Sequence, residues 1–463
     1  MTLTKLRKKL RNLLSPAQQI AISFASVILT GAFLLNLPIS NKMVGATFID
    51  HLFTSTTAVC VTGLSTVVLA DQYTLFGQWV IIALMQIGGL GLMTLIAVFI
   101  IFLSGKLSLA NRLALNEAVN FFNLNDFNHF IMNILKYTLI FESIGFLLYA
   151  TRFVPEFGWS SGLFISLFTA VSAFVNAGLD ILGPISLQGY AHDPIVNFTT
   201  MYLIVVGGLG FGVWFDLSQG SKSLIRKAHP LQYVVKHLKV HTKIVITTTL
   251  YLIFGGALLI LLIEFNNPNT IQSFNFFDKI MASLFQSITT RTAGFATLNM
   301  ASMKAATLLI MMLLMFIGGS PGGTAGGIKT TTFAILVLMI VSELRNRKEI
   351  IVFNRKIERE QFRKAFVIAF VLLMTVTTGI IILLIIEPFD LLSIAFESIS
   401  AIATVGLSMG ITASLSYWGK VTIIALMYLG RIGPLTLMLS IGRKQSSKKG
   451  HDISYPAADI LIG

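Results

Sequence analysis

Four short stretches, each closing on a glycine, constrain this chain more than anything else in it: Val61-Thr62-Gly63, Asn176-Ala177-Gly178, Thr292-Ala293-Gly294 and Thr404-Val405-Gly406. Successive glycines stand 115, 116 and 112 residues apart. Each is followed by a bulky apolar residue (Leu64, Leu179, Phe295, Leu407) and preceded by a Ser/Thr-rich amphipathic segment and a long apolar run. About 25 residues further on a second pattern recurs: Gly88-Gly89-Leu90-Gly91, Gly207-Gly208-Leu209-Gly210, Gly318-Gly319-Ser320-Pro321 and Gly430-Arg431-Ile432-Gly433. One such triplet alone would be a small-residue packing site between helices. Four at matched spacing, each between two apolar runs, spell four copies of helix, re-entrant loop and helix. That is what one cation conduit requires. A monovalent cation stripped of water needs a ring of backbone carbonyls, glycine best tolerates the dihedrals that aim them, and non-helical backbone at membrane depth is allowed where it lines a wet cavity.

Composition places the chain in a bilayer. Of its 463 residues 55% are apolar and 12% charged, more apolar surface than a soluble chain of this length can hide. The single cysteine, Cys60, forbids an intrachain disulfide or a thiolate cluster, and no cleavable signal peptide is expected. The formal net charge of +14 could point to nucleic acid, so its location matters. Five Lys and Arg precede Pro16, two fall in 104–130, six in 218–243, eight in 342–364 and four after Ile441, together 25 of the 34. These segments alternate with the spans, so both termini and three linkers are expected in the cytoplasm. The charge then meets anionic lipid headgroups or an acidic partner. Nucleic acid is not an expected partner.

The chain divides into 1–103 (first repeat), 104–217 (linker and second repeat), 218–341 (basic linker and third repeat), 342–441 (basic linker and fourth repeat) and the tail 442–463. The first span is expected over 18–37, ended by Pro38, with a loop helix over 52–59 and a return span over 77–103. The linker 104–128 has amphipathic periodicity suited to the membrane surface. The second repeat spans 130–153 and returns over 195–217. The third spans 244–265, with a loop helix over 278–290, and the fourth spans 365–386 and returns over 417–441. His229, His237 and His241 in the second basic linker lack a carboxylate or cysteine at ligand spacing, so no metal site is expected there.

The third return span is unusual. Between apolar runs at 305–317 and 330–341 lies Gly318-Gly319-Ser320-Pro321-Gly322-Gly323-Thr324-Ala325-Gly326-Gly327-Ile328-Lys329, whose six glycines and one proline cannot remain helical. A phosphate-binding loop is rejected, because Ile328 separates the last glycine from Lys329 and no strand precedes it. A broken helix at membrane depth is better read as a mobile plug beneath the ring, within 316–332. Two ionisable residues sit inside spans. Glu142 is either a functional carboxyl or a helix-to-helix hydrogen bond in its protonated form. Arg431 stands where the first two repeats have Gly89 and Gly208, and needs a carboxylate such as Glu142 or Glu397, or the conduit's own water, to offset its charge.

The motifs CVTGLS, FVNAGL, RTAGF, ATVGLSMG, IGGSPGGTAGGIKTTT and LGRIGPLT resemble the membrane subunit of bacterial Ktr potassium-uptake systems, within the Trk/Ktr/HKT superfamily, over essentially the whole length. The resemblance implies an all-α polytopic membrane protein, potassium-channel-like, with four pseudosymmetric repeats around one central pathway and eight spans. It implies a selectivity filter shaped by the four triplets and a gate formed by 318–329, with Arg431 projecting into the pathway below the filter. It also implies potassium as the transported ion with no bound cofactor, a homodimer, a cytoplasmic ring of nucleotide-binding regulatory subunits, and sodium-dependent uptake in several members. Relatives with serine in the first loop favour sodium, and Gly63 fits the potassium-permeable pattern.

The residues themselves argue for a monovalent cation. The triplets hold no Asp/Glu ring for a divalent ion, and Arg291 beside one of them argues against it. An alternating-access transporter would show inverted repeats, whereas four same-orientation repeats are read here. An intramembrane enzyme would need a nucleophile with its base, or paired metal ligands. No HExxH or GxSxG pattern occurs.

Overall fold

A computed structural model describes residues 16–43, 45–91, 127–225, 230–347 and 349–433. The basic opening, the end of the first return span with most of the linker after it, the end of the fourth return span and the tail lie outside the described residues. The helices are α1 (Pro16–Asn36), α2 (Phe48–Cys60), α3 (Leu75–Leu90), α4 (Phe127–Phe157), α5 (Trp159–Val175), α6 (Pro194–Gly208), α7 (Phe211–Ile225) and α8 (Leu231–His237). They continue as α9 (Val240–Glu264), α10 (Phe276–Thr289), α11 (Ala305–Phe316), α12 (Thr330–Leu344), α13 (Arg359–Ile386), α14 (Leu391–Ile402) and α15 (Tyr417–Ile432). A small antiparallel hairpin, β1 (Ile350–Val352) with β2 (Arg355–Ile357), precedes α13.

Among the described residues α1, α4, α9 and α13 are long and apolar enough to cross a membrane, and α6 with α7 would make a fifth span if counted together. Their outer faces carry large apolar side chains such as Leu147, Leu262 and Ile385, the last 80% exposed, which suits a lipid solvent. Each is followed by a shorter, largely buried helix (α2, α5, α10, α14) that stops at one of the glycine triplets. These four helices pack in a closed circuit. Besides its own spanning helix, α2 packs on α15, α5 on α3, α10 on α6 and α14 on α11. The second glycine pattern makes close approach possible: a Cβ at Gly88, Gly207 or Gly430 would lie 2.0, 1.9 or 1.9 Å from the carbonyl oxygens of Val59, Phe174 and Ile402. Only glycine lets these return helices touch the buried helix ends.

Buried acids fix the outer corners. Glu264, fully buried at the end of α9, accepts from Asn267 Nδ2 (2.6 Å), Thr270 Oγ1 (2.7 Å), the Lys304 amide (3.0 Å) and Thr307 Oγ1. Glu387, after α13, accepts from the Ser416 amide (2.9 Å) and hydroxyl (2.6 Å). At the start of α2, Asp50 closes a capping box with Thr47 and pairs with Lys420 of α15 at 2.7 Å. Burial alone would push the Asp50 carboxyl up, but the hydrogen bonds from Lys420 and Thr47 outweigh it and hold it at about 2. Its stabilising contribution is present above the ordinary aspartate value of 3.8 and is lost as the pH falls toward 2. Lys420→Met should therefore lower the unfolding free energy by about 3 kcal/mol, because it orphans a buried carboxylate, while the double variant with Asp50→Asn should recover most of the loss. Thermal unfolding in detergent, with both single variants alongside, measures this.

Candidate functional site

The four buried helices end in related turns. Thr62, Ala177 and Val405 donate their amides to the carbonyls of Thr57, Ser172 and Ser400 at 2.9, 2.7 and 2.8 Å, the bond that closes a helix when the residue between is left-handed. That residue is Val61 (φ 57°), Asn176 (φ 61°) or Thr404 (φ 51°). The third turn differs by one residue: Thr292 is left-handed (φ 66°), but Ala293 donates to Thr289 at 3.0 Å. Two residues on, Gly63, Gly178, Gly294 and Gly406 again have positive φ, at 105°, 63°, 81° and 94°. The sequence pattern identified the glycines. It gave no sign of the second left-handed residue in the first, third and fourth turns, since Val and Thr adopt φ > 0 only under duress, at roughly 1–3 kcal/mol each.

The turns meet. A Cβ placed on Gly63 would stand 2.7 Å from the Ala177 carbonyl oxygen, on Gly178 2.3 Å from that of Ala293, on Gly294 2.6 Å from that of Val405, and on Gly406 2.1 Å from that of Thr62. Each glycine thus presses on the middle residue of the next triplet, and the fourth returns to the first. The four glycines and the middle residues Thr62, Ala177, Ala293 and Val405 are brought into one narrow ring. Behind it lies a set of hydroxyls that the sequence reading passed over. Thr57 Oγ1 accepts from the Gly63 amide (2.9 Å), Ser400 Oγ from the Gly406 amide (3.0 Å), and Thr289 Oγ1 donates to the Phe295 carbonyl (2.6 Å). Ser172 holds the same place in the second turn. The signal was available: a hydroxyl residue six positions before the glycine in three turns and five in the third.

On one side of the ring a cavity of about 450 Å³ is lined by all four glycines with Ser65, Asp180 and Ser408 among others. Asp180 is the acid among these lining residues. Burial pushes its carboxyl up to about 6, against the hydrogen bond that the Leu182 amide donates to Oδ1 at 3.1 Å.

The glycine-rich stretch lies against the ring from elsewhere. Helix α11 ends at Phe316 and α12 begins at Thr330, as the composition required. The loop between is tied at its base by an isolated parallel bridge of Ile317 with Ile328 and by the Ser320 and Thr330 hydroxyls, 3.0 Å apart. Its tip reaches the second turn, where Thr324 Oγ1 donates to Asn176 Oδ1 at 3.2 Å. The loop sits in a break that the sequence reading did not foresee. Residues 195–217 were expected as one span, whereas α6 and α7 meet at 98° across Leu209 and Gly210. The break leaves backbone groups without helical partners, and the loop supplies them: Ser320 donates to the Gly208 carbonyl (2.9 Å), Thr324 to that of Gly207 (3.3 Å), and Phe211 donates to that of Gly322 (3.0 Å).

Three cationic side chains hold the loop's carbonyls. Arg291 Nη2 donates to Gly318 O (3.3 Å), Lys329 Nζ to Ala325 O (2.6 Å), and Arg431 Nη1 to Thr324 O (2.5 Å), with Arg431 Nη2 on Gly88 O. Arg431 therefore meets neither carboxylate considered from the sequence. Glu397 accepts from Thr412 Oγ1. Glu142 accepts from Gln86 Nε2 at 2.6 Å, a helix-to-helix hydrogen bond.

A helical membrane chain whose buried turns converge on a narrow backbone ring, with a cation-clamped loop against it, belongs to the ion-transporting class rather than to the enzymes. The chain is a member of the TrkH family of cation transport proteins, whose family model matches residues 5–450. It is 39% identical over 449 residues to Ktr system potassium uptake protein B of Bacillus subtilis, covering 97% of each chain. It is 36% identical to the potassium/sodium uptake protein NtpJ of Enterococcus hirae, covering 100% of both, and 37% identical to the Ktr system potassium uptake protein B of Vibrio alginolyticus, covering 96% of this chain and 94% of that one. The crystal structure of the potassium transporter TrkH from Vibrio parahaemolyticus shares the fold, with a TM-score of 0.68 at 17% identity over 92% of this chain and 84% of that one.

The seat of the loop gives a check that needs no transport assay. Gly210 has φ 92°, and a Cβ there would lie 2.6 Å from the Pro321 carbonyl oxygen. Gly210→Ala should loosen the loop, so that the amides of Ser320 and Thr324 exchange hydrogen for deuterium at least tenfold faster than in the wild type.

Proposed function

We propose that this chain is the ion-translocating subunit of a potassium-uptake system, carrying potassium across a bacterial cell membrane through the ring of triplet carbonyls. The observation that carries the reading is the closed circuit in which each glycine abuts the carbonyl of the next triplet. A ring of this kind can replace an ion's water shell with uncharged oxygens. Buried hydroxyls of Thr62, Thr292 and Thr404 without partners among the described residues add polar atoms at the same place. The names of the full-length relatives support potassium as the ion, and the printed name of NtpJ supports a role for sodium beside it.

The matched spacing of the triplets and the circular packing of α2, α5, α10 and α14 support four pseudosymmetric repeats with eight spans, divided as the sequence suggests. The basic linkers support a cytoplasmic position for both termini. Loop 318–329 is the gate. Seated, it lies beside Asn176 and is held by its own Lys329 and, from outside, by Arg291 and Arg431, whose guanidinium charges oppose an incoming cation. The relatives' designation as parts of a Ktr system supports a separate regulatory subunit. We assign that role to a cytoplasmic nucleotide-binding ring beneath a homodimer of this chain, meeting the basic linkers, with lipid around the spans. Rubidium uptake into vesicles, with and without a sodium gradient, tests the whole reading, and a reconstituted chain that moves no rubidium overturns it.

Two variants address its parts. Gly63→Ser should lower the preference for potassium over sodium about tenfold, since its Cβ would strike the Ala177 carbonyl. Competitive uptake of the two ions at matched protein abundance reads this. Arg431→Gln removes at least one charge-assisted hydrogen bond from the seated loop, worth roughly 1.5–3 kcal/mol. It should raise uptake in the absence of the regulatory subunit about tenfold, while the apparent affinity for potassium changes little. Flux measured with and without that subunit decides it.

A further inference from the structure

The left-handed residues two positions before the ring glycines are Val61, Asn176, Thr292 and Thr404. Their side chains are not equivalent. Val61 has nothing to donate, and the Thr292 and Thr404 hydroxyls have no hydrogen-bond partner among the described residues. Asn176, 0% exposed, uses both ends of its amide. Nδ2 donates to the Arg291 carbonyl, in the third turn, at 3.3 Å, and Oδ1 accepts from Thr324 Oγ1, in the gate loop, at 3.2 Å. The same amide covers the break in the second return helix: a Cβ on Gly207 would lie 2.8 Å from Oδ1, and one on Gly208 3.6 Å from Nδ2. Arg291 closes the circuit, because its guanidinium donates to Gly318 O at the other end of the loop. Second turn, third turn, gate loop and second turn again form one cycle of hydrogen bonds.

We infer that Asn176 is a specificity-determining positioning residue, which fixes the spacing of the second and third turns of the ring only while Thr324 of the seated loop holds its amide. The inference rests on the proposed function above. Once the loop leaves, Oδ1 loses its donor, and the terminal torsion of an asparagine is broad enough for the amide to turn away from Arg291. A ring without that tie can contract around the smaller ion, so discrimination between potassium and sodium belongs to the seated state and relaxes as the gate opens. Sites coupled in this way act on each other reciprocally: the ion that suits the fixed ring favours the seated loop.

A plainer role exists for Asn176, because asparagine is favoured at the left-handed residue that closes a helix. The two roles part under Asn176→Gly, which keeps or improves the left-handed geometry and deletes the amide. In purified protein with the loop seated, sodium competition against equilibrium rubidium binding should show discrimination falling about fivefold in Asn176→Gly, the equivalent of one hydrogen bond. Thr324→Val should show the same fall, the double variant should fall no further, and Thr324→Ser should keep wild-type discrimination. Wild-type discrimination in Asn176→Gly, or additive losses in the double variant, would overturn the inference. Should Asn176→Gly fail to accumulate in the membrane, the contrast between Thr324→Val and Thr324→Ser decides instead. A wild-type chain that does not prefer rubidium over sodium would refute the proposed function itself, a result distinct from either.

Discussion

Backbone packed directly against backbone is the constraint on which the rest of the molecule depends. At the ring, four turns press carbonyl against glycine with no space for a side chain, in left-handed conformations that cost free energy at Val61, Thr292 and Thr404. Nothing within a turn could hold such an arrangement. It persists because each turn ends a buried helix wedged between its own spanning helix and the return helix of another motif, and because in the first, third and fourth turns a hydroxyl further back holds the glycine amide or the carbonyl that follows. Strain at a functional site survives only where its surroundings over-determine it, and here they do so from every side.

The loop 318–329 answers a different problem. A dozen residues without helix or sheet cannot lie within a bilayer-spanning protein unless their polar groups find partners. Part of the solution is the broken helix beside the loop: two segments that each lack hydrogen bonds complete one another. The remainder comes from Arg291, Lys329 and Arg431, which donate to carbonyls where carboxylates might have been expected. Carbonyl dipoles hold the guanidinium groups of Arg291 and Arg431 without neutralising them, so the field of those charges remains to act on any cation that approaches.

Much of this was legible in the sequence, for definite physical reasons. Glycine spacing and apolar runs located the four turns, since a repeated need for φ > 0 leaves a repeated residue. The failure of helix at 318–329 followed from composition alone. The break between α6 and α7 went unread although the repeated pattern marks it: Gly210, like Gly91 and Gly433 at the ends of α3 and α15, has positive φ (92°, 80° and 86°), while the loop that completes the break lies more than a hundred residues away. The left-handed Val61 and Thr404 ran against local preference, and only tertiary packing fixes them. For Arg431 the sequence gave the need for a partner but not its kind, since carbonyl oxygens belong to every residue and leave no mark in a sequence.

The circular packing has a consequence for how the protein is made. The helix beside the first turn is α15, the last one described, and the ion pair that joins them links residues 370 apart in sequence. When the first motif enters the membrane from the ribosome, the surface that completes it has yet to be synthesised. The first turn must then wait with one flank open, its polar backbone served by water or by transient neighbours. Contacts between distant residues form late and slowly. The same closure that brings four successive motifs round to the first therefore ties its completion to the synthesis of α15, and a chain interrupted before α15 would lack the piece that seals the first turn.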